Sequence, residues 1–567
     1  MKDRNNPGKV CLIILCFLIF SCHNNSGPRK ENIVTNPEKM DEQIGENIHE
    51  ILDYALLNQG KIDDSTYLKF VSLTNSFYQQ NNYNNAWSKK EKLVPMVDSL
   101  LLFLNQAKLY GLFPADYNLK KLEDIKKVLD TDSIQRMNAI RWSTADIIFT
   151  DGCISLLNDL KFGRLIKHSS ATLNDSSFKG KWLVSKLQLL MKQSSLSTYL
   201  NSIEPSHNGY QQLKAGIKIF MDSMDNHIYT YVPYPFKKNN AKDSLFFIKK
   251  VQKRLIESKC IKDTATLPDS LQLNIAIKKF QKLKAIKQDG NISATLVRQL
   301  NNTDVEKYKR IAITLDRYKL LPDSMPEKFV WVNLPGYYLQ VWDHDTIAFS
   351  SKIICGKTET RTPLLTSSIS DIVTYPTWTV PTSIITKQYL PKLKLNPNYL
   401  AKIGLKLVTE KGVDVDPSTV KWSKYKTGIP FKVIQNSGDD NALGVIKFNF
   451  NNPFAVYLHD TNQRYLFKNS KRAFSHGCVR VQEWQKLAAF IAANDSANLK
   501  PGDELLYNTD SIVNWILAKK HQRINVKNKL PLFITYFSCE AKEGEIKFYE
   551  DIYGDDKELR EKYFNDK

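Results

Sequence analysis

The chain lacks any apolar stretch long enough to span a bilayer. Its longest apolar run, Val10 to Phe20, covers eleven residues, whereas a membrane-spanning helix needs about 20. Close metal-ligand pairs are missing too. None of the eight cysteines stands in a CxxC pair and none of the nine histidines in an HxxxH pair, the spacings that zinc sites usually show. No metal and no cofactor is expected. Acidic residues are in short supply, 59 against 80 lysines and arginines, for a formal net charge of +21. A basic balance raises nucleic acid as a partner. Yet the chain has no helix-turn-helix, zinc-finger or RNA-binding signature, and its lysines are spread along its length. No nucleic-acid partner is expected, and charge alone does not choose among other polyanions. Nor is there a disulfide framework: Cys153, Cys260, Cys355, Cys478 and Cys539 lie far apart.

What is present reads as several domains, since 567 residues suffice for three or four. Lys2, Arg4 and Lys9 precede the short apolar run, and Ile19-Phe20-Ser21-Cys22 follows it. Residues 1–22 resemble a lipoprotein signal, whose cleavage would leave Cys22 as a lipidated N-terminus holding the protein at a membrane. Residues 23–45 are polar and read as a linker. Residues 46–235 look mainly helical, as in the runs Ile51 to Leu57, Leu93 to Leu104 and Trp142 to Leu160. In 243–302, Ile248, Val251, Gln252 and Leu255 have helical spacing, and so do Ala276, Phe280 and Leu283. Asp289-Gly290 then signals a turn before a third helical run ending near Leu300. Residues 305–327 contain a connecting helix.

From Phe329 the pattern changes to alternating strand-like runs that continue to Asp503-Glu504-Leu505-Leu506-Tyr507, so a mostly-β domain is expected over 328–508. Inside it, 384–440 is longer and more polar than a connection needs and holds a helical insertion. A helix is expected over Glu483 to Ala493. Residues 509–567 form a charged tail with one apolar run, Leu530 to Phe537, and no assignable role. The expected fold class is α+β.

Chemistry concentrates in 459–480. His459 ends an apolar run, and Ser475-His476-Gly477-Cys478-Val479-Arg480 follows a polar loop. A thiol is only a few per cent thiolate at neutral pH, and an adjacent imidazole raises that fraction. Gly477 lets the backbone approach an acyl carbonyl, and N–H groups there can stabilise an oxyanion. His459 lies 19 positions before Cys478, a distance that a strand-loop-strand path can close. Val456 and Leu458 alternate with Tyr457 and His459, so His459 points away from the apolar face. His459 is favoured as base and His476 as a supporting group. The bland alternatives are structural residues, or a zinc site made of His459, His476 and Cys478.

The histidine followed by Ser-His-Gly-Cys-Val-Arg resembles the active-site pattern of the bacterial L,D-transpeptidases. Further segments resemble the large multi-domain periplasmic branch of that family: RIAITLDRYKLLP from Arg310, WVNLPGYYL from Trp331, GKTETRTP from Gly356, YPTWTVP from Tyr375, NALGVIKF from Asn441 and YLHDT from Tyr457. The resemblance implies a Cys478 nucleophile, a His459 base and a backbone carbonyl at Asp460 orienting the imidazole. It further implies a helical scaffold over 46–235, a small three-helix peptidoglycan-binding domain over 243–302 and a cap over the active site from 384–440. The implied partners are peptidoglycan stem peptides, joined by 3→3 cross-links through a Cys thioester, with a membrane reached through the lipid on Cys22. Arg480 could pair with a stem carboxylate, and Trp378 and Tyr457 could line the stem groove. Two alternatives use the same residues differently: a carboxypeptidase or amide hydrolase working through the same thioester, and a catalytically silent lipoprotein that only binds the wall.

Overall fold

The computed structural model describes residues 31–165, 176–233, 241–262, 269–499, 502, 504 and 507–564. The expected signal segment and its Cys22 lie outside them. Among the described residues no helix is long and apolar enough to cross a membrane. The chain divides into two compact units. One gathers Met1–Asn105, Pro114–Asn158 and Ala171–Asn201, and the other Gln106–Phe113, Asp159–Ser170 and Ser202–Lys567.

The first unit is helical, and its buried carboxylates serve the backbone. Asp146 accepts hydrogen bonds from the Ala86 N–H (2.7 Å), the Trp87 N–H (2.9 Å) and the Tyr78 hydroxyl (2.7 Å). Asp151 holds the Lys69 and Phe70 N–H groups in the same way. Burial pushes the Asp146 carboxyl up to about 6, against these bonds. An unpaired N–H in a core costs on the order of 1–3 kcal/mol, so these acids are explained by loop anchoring.

In the second unit the helices Ala241–Glu257, Ser270–Leu283 and Ala294–Leu300 pack Phe247, Val251, Leu255, Ile277, Phe280 and Leu296 into one small core. The expected turn is present: Gly290 has a φ of +70°, and its N–H donates to Gln281 Oε1 (2.9 Å). Leu283, expected on the buried face, is exposed. Helix Asn208–Asp222 does not stay with the helical scaffold predicted for 46–235. It buries Tyr210, Leu213 and Ile217 in a core shared with Tyr308, Trp331 and Phe533.

That core lies against a nine-stranded mixed sheet. Its spatial order is Ala473–Ser475, Thr346–Gly356, Val479–Val481, Leu458–His459, Ile446–Phe450, Leu365–Thr374, Gln522–Thr535, Lys328–Asn333 and Tyr338–Asp343. The last of these also pairs with Thr346–Gly356, so the sheet closes on itself. Alternation assigns the two faces. Val330, Val332, Ile372, Phe448, Leu458, Val479, Leu532 and Ile534 fill the inner core. Phe329, Trp331 and Phe533 face the helical side.

The strand Gln522–Thr535 corrects the domain boundary expected at 508. It stands between Leu365–Thr374 and Lys328–Asn333, with Ile524, Val526, Leu530, Leu532 and Ile534 turned into the inner core. A register shift between Asn525 and Leu530 breaks its alternation. Asp495 holds the irregular stretch by accepting from the N–H groups of Lys527 (2.8 Å) and Asn528 (2.7 Å). The tail therefore supplies an interior strand of the sheet.

The insertion carries the expected helices, Leu390–Leu395 and Tyr399–Lys402. It adds a four-stranded sheet ordered Trp378–Thr379, Lys432–Gln435, Lys406–Val408 and Asp414–Val415. Leu393, Leu400, Leu407, Trp422 and Val433 give it a core of its own.

Candidate active site

Two short strands create the site by their register. Leu458–His459 runs parallel to Val479–Val481, with Leu458 opposite Val479 and His459 opposite Arg480. On its other side, Lys447 is opposite His459. Since Leu458, Val479, Val481 and Phe448 point into the core, alternation turns Tyr457, His459, Arg480, Lys447 and Cys478 to the opposite face. The sequence-predicted Cys478, His459, Tyr457 and Arg480 thus share one surface. The Val479 N–H donates to the Tyr457 carbonyl (3.1 Å), locking Cys478 beside this strand. The Tyr457 and His459 rings meet edge-on, 5.6 Å apart at 65°, and Lys447 Nζ lies 4.0 Å from the Tyr457 centroid.

His459 is only 4% exposed, and its Nδ1 has no hydrogen-bond partner in reach. Burial, seconded by the positive Arg480 and Lys447, drives the imidazole down to about 3; the carbonyls of Asp460 and Leu443 pull the other way and lose. The carbonyl at Asp460 is thus beside the ring without a formed hydrogen bond. The Asp460 side chain is turned elsewhere, accepting from Arg464 Nε (3.1 Å) and Nη2 (2.7 Å) and from the Val445 N–H (3.1 Å).

Cys478 keeps partial exposure. Burial pushes its thiol up, while the Tyr457 N–H and hydroxyl and the charges of Lys447 and Arg480 pull it down less strongly. Burial thus disfavours the charged form of both the thiol and the imidazole on this face. This corrects the expectation that the imidazole raises the resting thiolate fraction: desolvation outweighs the neighbouring charges.

Gly477 has a φ of +122°, where side chains are strained whatever the space. Space is adequate, since an added Cβ would stand 3.5 Å from the Arg361 carbonyl and 3.7 Å from Val456. Ser475 closes the turn, its hydroxyl donating to the Cys478 carbonyl (2.6 Å) and accepting from the Gly477 N–H (3.1 Å). His476 is exposed and bonds through Nε2 to the Gln388 side chain of the insertion. Burial, then the charges of Lys357 and Arg480, lower its pKa.

Between sheet and insertion lies a cleft of about 420 Å³, lined by Trp378, Gln388, Tyr389, Lys392, Gln435, Gln463 and Arg480 among others. Arg480 Nη1 donates to Gln463 (3.1 Å), while its buried Nε has no partner. No carboxylate among the described residues pairs with this guanidinium. Trp378 packs on the insertion core, lines the cleft and reaches the Tyr457 hydroxyl. Sequence reasoning missed Gln388, Ser475 and Lys447. Only Ser475, inside the motif, carried a local signal. Among the described residues no group of three or more His, Cys, Asp or Glu side chains could hold a metal ion.

Similar proteins point the same way. Residues 72–216 match a scaffold domain, and residues 327–503 match an L,D-transpeptidase catalytic domain. A Haemophilus influenzae protein named "Putative L,D-transpeptidase" is 33% identical over 252 residues, covering 44% of this chain and 49% of that protein. The match thus spans about half the length of the curated relative. The matched segment 327–503, which carries the paired His459 and Cys478 strands, is thus similar to an L,D-transpeptidase catalytic domain.

Proposed function

We propose that the protein forms 3→3 cross-links between peptidoglycan stem peptides through a thioester on Cys478. The observation that carries this reading is the shared face of Cys478 and His459 beside a cleft holding the carboxylate-free Arg480. The donor is a tetrapeptide stem with a diamino acid third and D-Ala fourth. Its carboxylate meets Arg480, whose planar fork suits that geometry. Burial, which disfavours charge on both groups, favours proton transfer in step with attack. Sγ attacks the carbonyl carbon of the third residue as its proton passes to His459. The oxyanion is held by the Cys478 backbone N–H, the Gly477 N–H being taken up by the Ser475 hydroxyl. The C–N bond to D-Ala then breaks, with the His459 proton going to the departing amine. The side-chain amine of a second stem attacks the thioester, gives its proton to His459 and displaces the Cys478 thiolate, which recovers that proton.

Around this centre, the helical first unit serves as scaffold, 243–302 bind the wall, 384–440 cover the bound stem, and lipid on Cys22 tethers the protein at a membrane facing the periplasm. Incubation of the purified protein with tetrapeptide muropeptides tests the reaction. Expected are 3→3 dimers with one D-Ala released per bond, and none of either with Cys478→Ala. D-Ala release with tripeptide monomers alone would make water the acceptor and the protein a carboxypeptidase.

A further inference from the structure

The peptide that joins Gly477 to Cys478 is held from outside the strand pair. Its carbonyl accepts from the Thr362 hydroxyl (2.8 Å), which itself accepts from the Gly356 N–H (2.9 Å). Because a trans peptide points its C=O and N–H in opposite directions, a Gly477 carbonyl drawn to Thr362 turns the Cys478 N–H away from it. That N–H finds no acceptor among the described residues. It is a free donor on the residue that carries the sulfur, where a tetrahedral oxyanion would form.

Thr362 is in turn fixed by Tyr553, which lies beyond the matched catalytic domain. The Tyr553 hydroxyl accepts from the Thr362 N–H (3.2 Å) and donates to the Gly356 carbonyl (2.8 Å), bridging both ends of the 356–362 loop. Gly356 lets that loop close: a Cβ there would sit 2.8 Å from the Thr362 nitrogen. Tyr553 is anchored on both sides. Its N–H donates to the Tyr536 hydroxyl (2.9 Å), and its carbonyl accepts from Arg361 Nη2 (2.6 Å). Thr362 and Tyr553 are both nearly fully buried.

We propose that Thr362 and, through it, Tyr553 are positioning residues that aim the Cys478 N–H at the oxyanion, so that the C-terminal segment completes the acyl-transfer site; this rests on the thioester reading above. Neither side chain touches substrate. Their effect falls on steps that develop an oxyanion and spares the thiol itself.

The test compares two reactions of Cys478 in the full chain. Acylation by a carbapenem passes through an oxyanion, whereas alkylation by iodoacetamide does not. Losing an oxyanion donor outright costs roughly 10²–10³-fold, so misaiming one by Thr362→Val is expected to slow acylation about 10-fold or more. Alkylation and its pH profile should stay within about 2-fold, and Thr362→Ser, which keeps the hydroxyl, should restore acylation. Tyr553→Phe should give a smaller loss with the same selectivity. Equal acylation of Thr362→Val and wild type would overturn this inference alone, as would a parallel fall of acylation and alkylation. A wild-type chain that alkylates but never acylates would overturn the thioester reading and this inference with it.

Discussion

The sheet and the insertion meet at one cleft, and each holds one histidine of the 459–480 segment in different surroundings. On the sheet, register places His459 and Cys478 on one face, and burial disfavours the charged form of both. On the insertion side, the histidine is exposed at the surface. His476 meets Gln388 at the surface of a module with ten lysines and three acids between Trp378 and Gln435. Two histidines 17 positions apart thus sit in different surroundings. In the proposed reaction the sheet would set how the bond is broken, and the insertion what arrives to be broken.

The largest expected effect separates the two histidines. His459→Gln should lower turnover roughly 10²–10⁴-fold, the range for losing a general acid-base, while His476→Ala keeps measurable turnover. Matched kinetics with the order reversed would break the comparison. Next in size is the pH dependence. With the thiol raised above its ordinary value of 9.0, iodoacetamide alkylation of Cys478 should climb about tenfold per pH unit from pH 5 to 8. His459, neutral down to about 3, contributes no step in that window. A reactivity plateau between pH 5 and 7 would reveal a standing thiolate–imidazolium pair instead. Smallest is Gln388→Ala, which removes one surface hydrogen bond of about 1 kcal/mol. It should raise KM for a tetrapeptide stem a few-fold and leave alkylation unchanged; a fall in kcat alone would place Gln388 with the sheet's machinery.

How much could be read beforehand follows from what is local. The strand pair was legible because Val456, Leu458, Val479 and Val481 alternate with the polar residues of the motif. The small helical module was legible because each helix carries its own stripe, although Leu283 ended outside it. The interior strand Gln522–Thr535 was not legible. Its register shift and the polar Lys527-Asn528-Lys529 interrupt the period that marks a strand, and its buried partners lie more than 100 positions away. Thr362, Gln388 and Lys447 join the site only by pairing of distant segments. The neutral state of the thiol was hidden for the same reason, because desolvation belongs to the folded surroundings.

The interior strand also sets a timetable. The sheet cannot close until residue 535 has emerged and inserted between two strands that precede it by some 150 to 200 positions. Non-local pairings of this kind are slow to form. Until then His459 and Cys478 have no fixed register, and a slip by one residue would turn either into the core. A chain still being made or threaded therefore carries an ordinary, unassisted thiol. Reactivity is switched on once, by completion, and any cut ahead of residue 522 should leave it off.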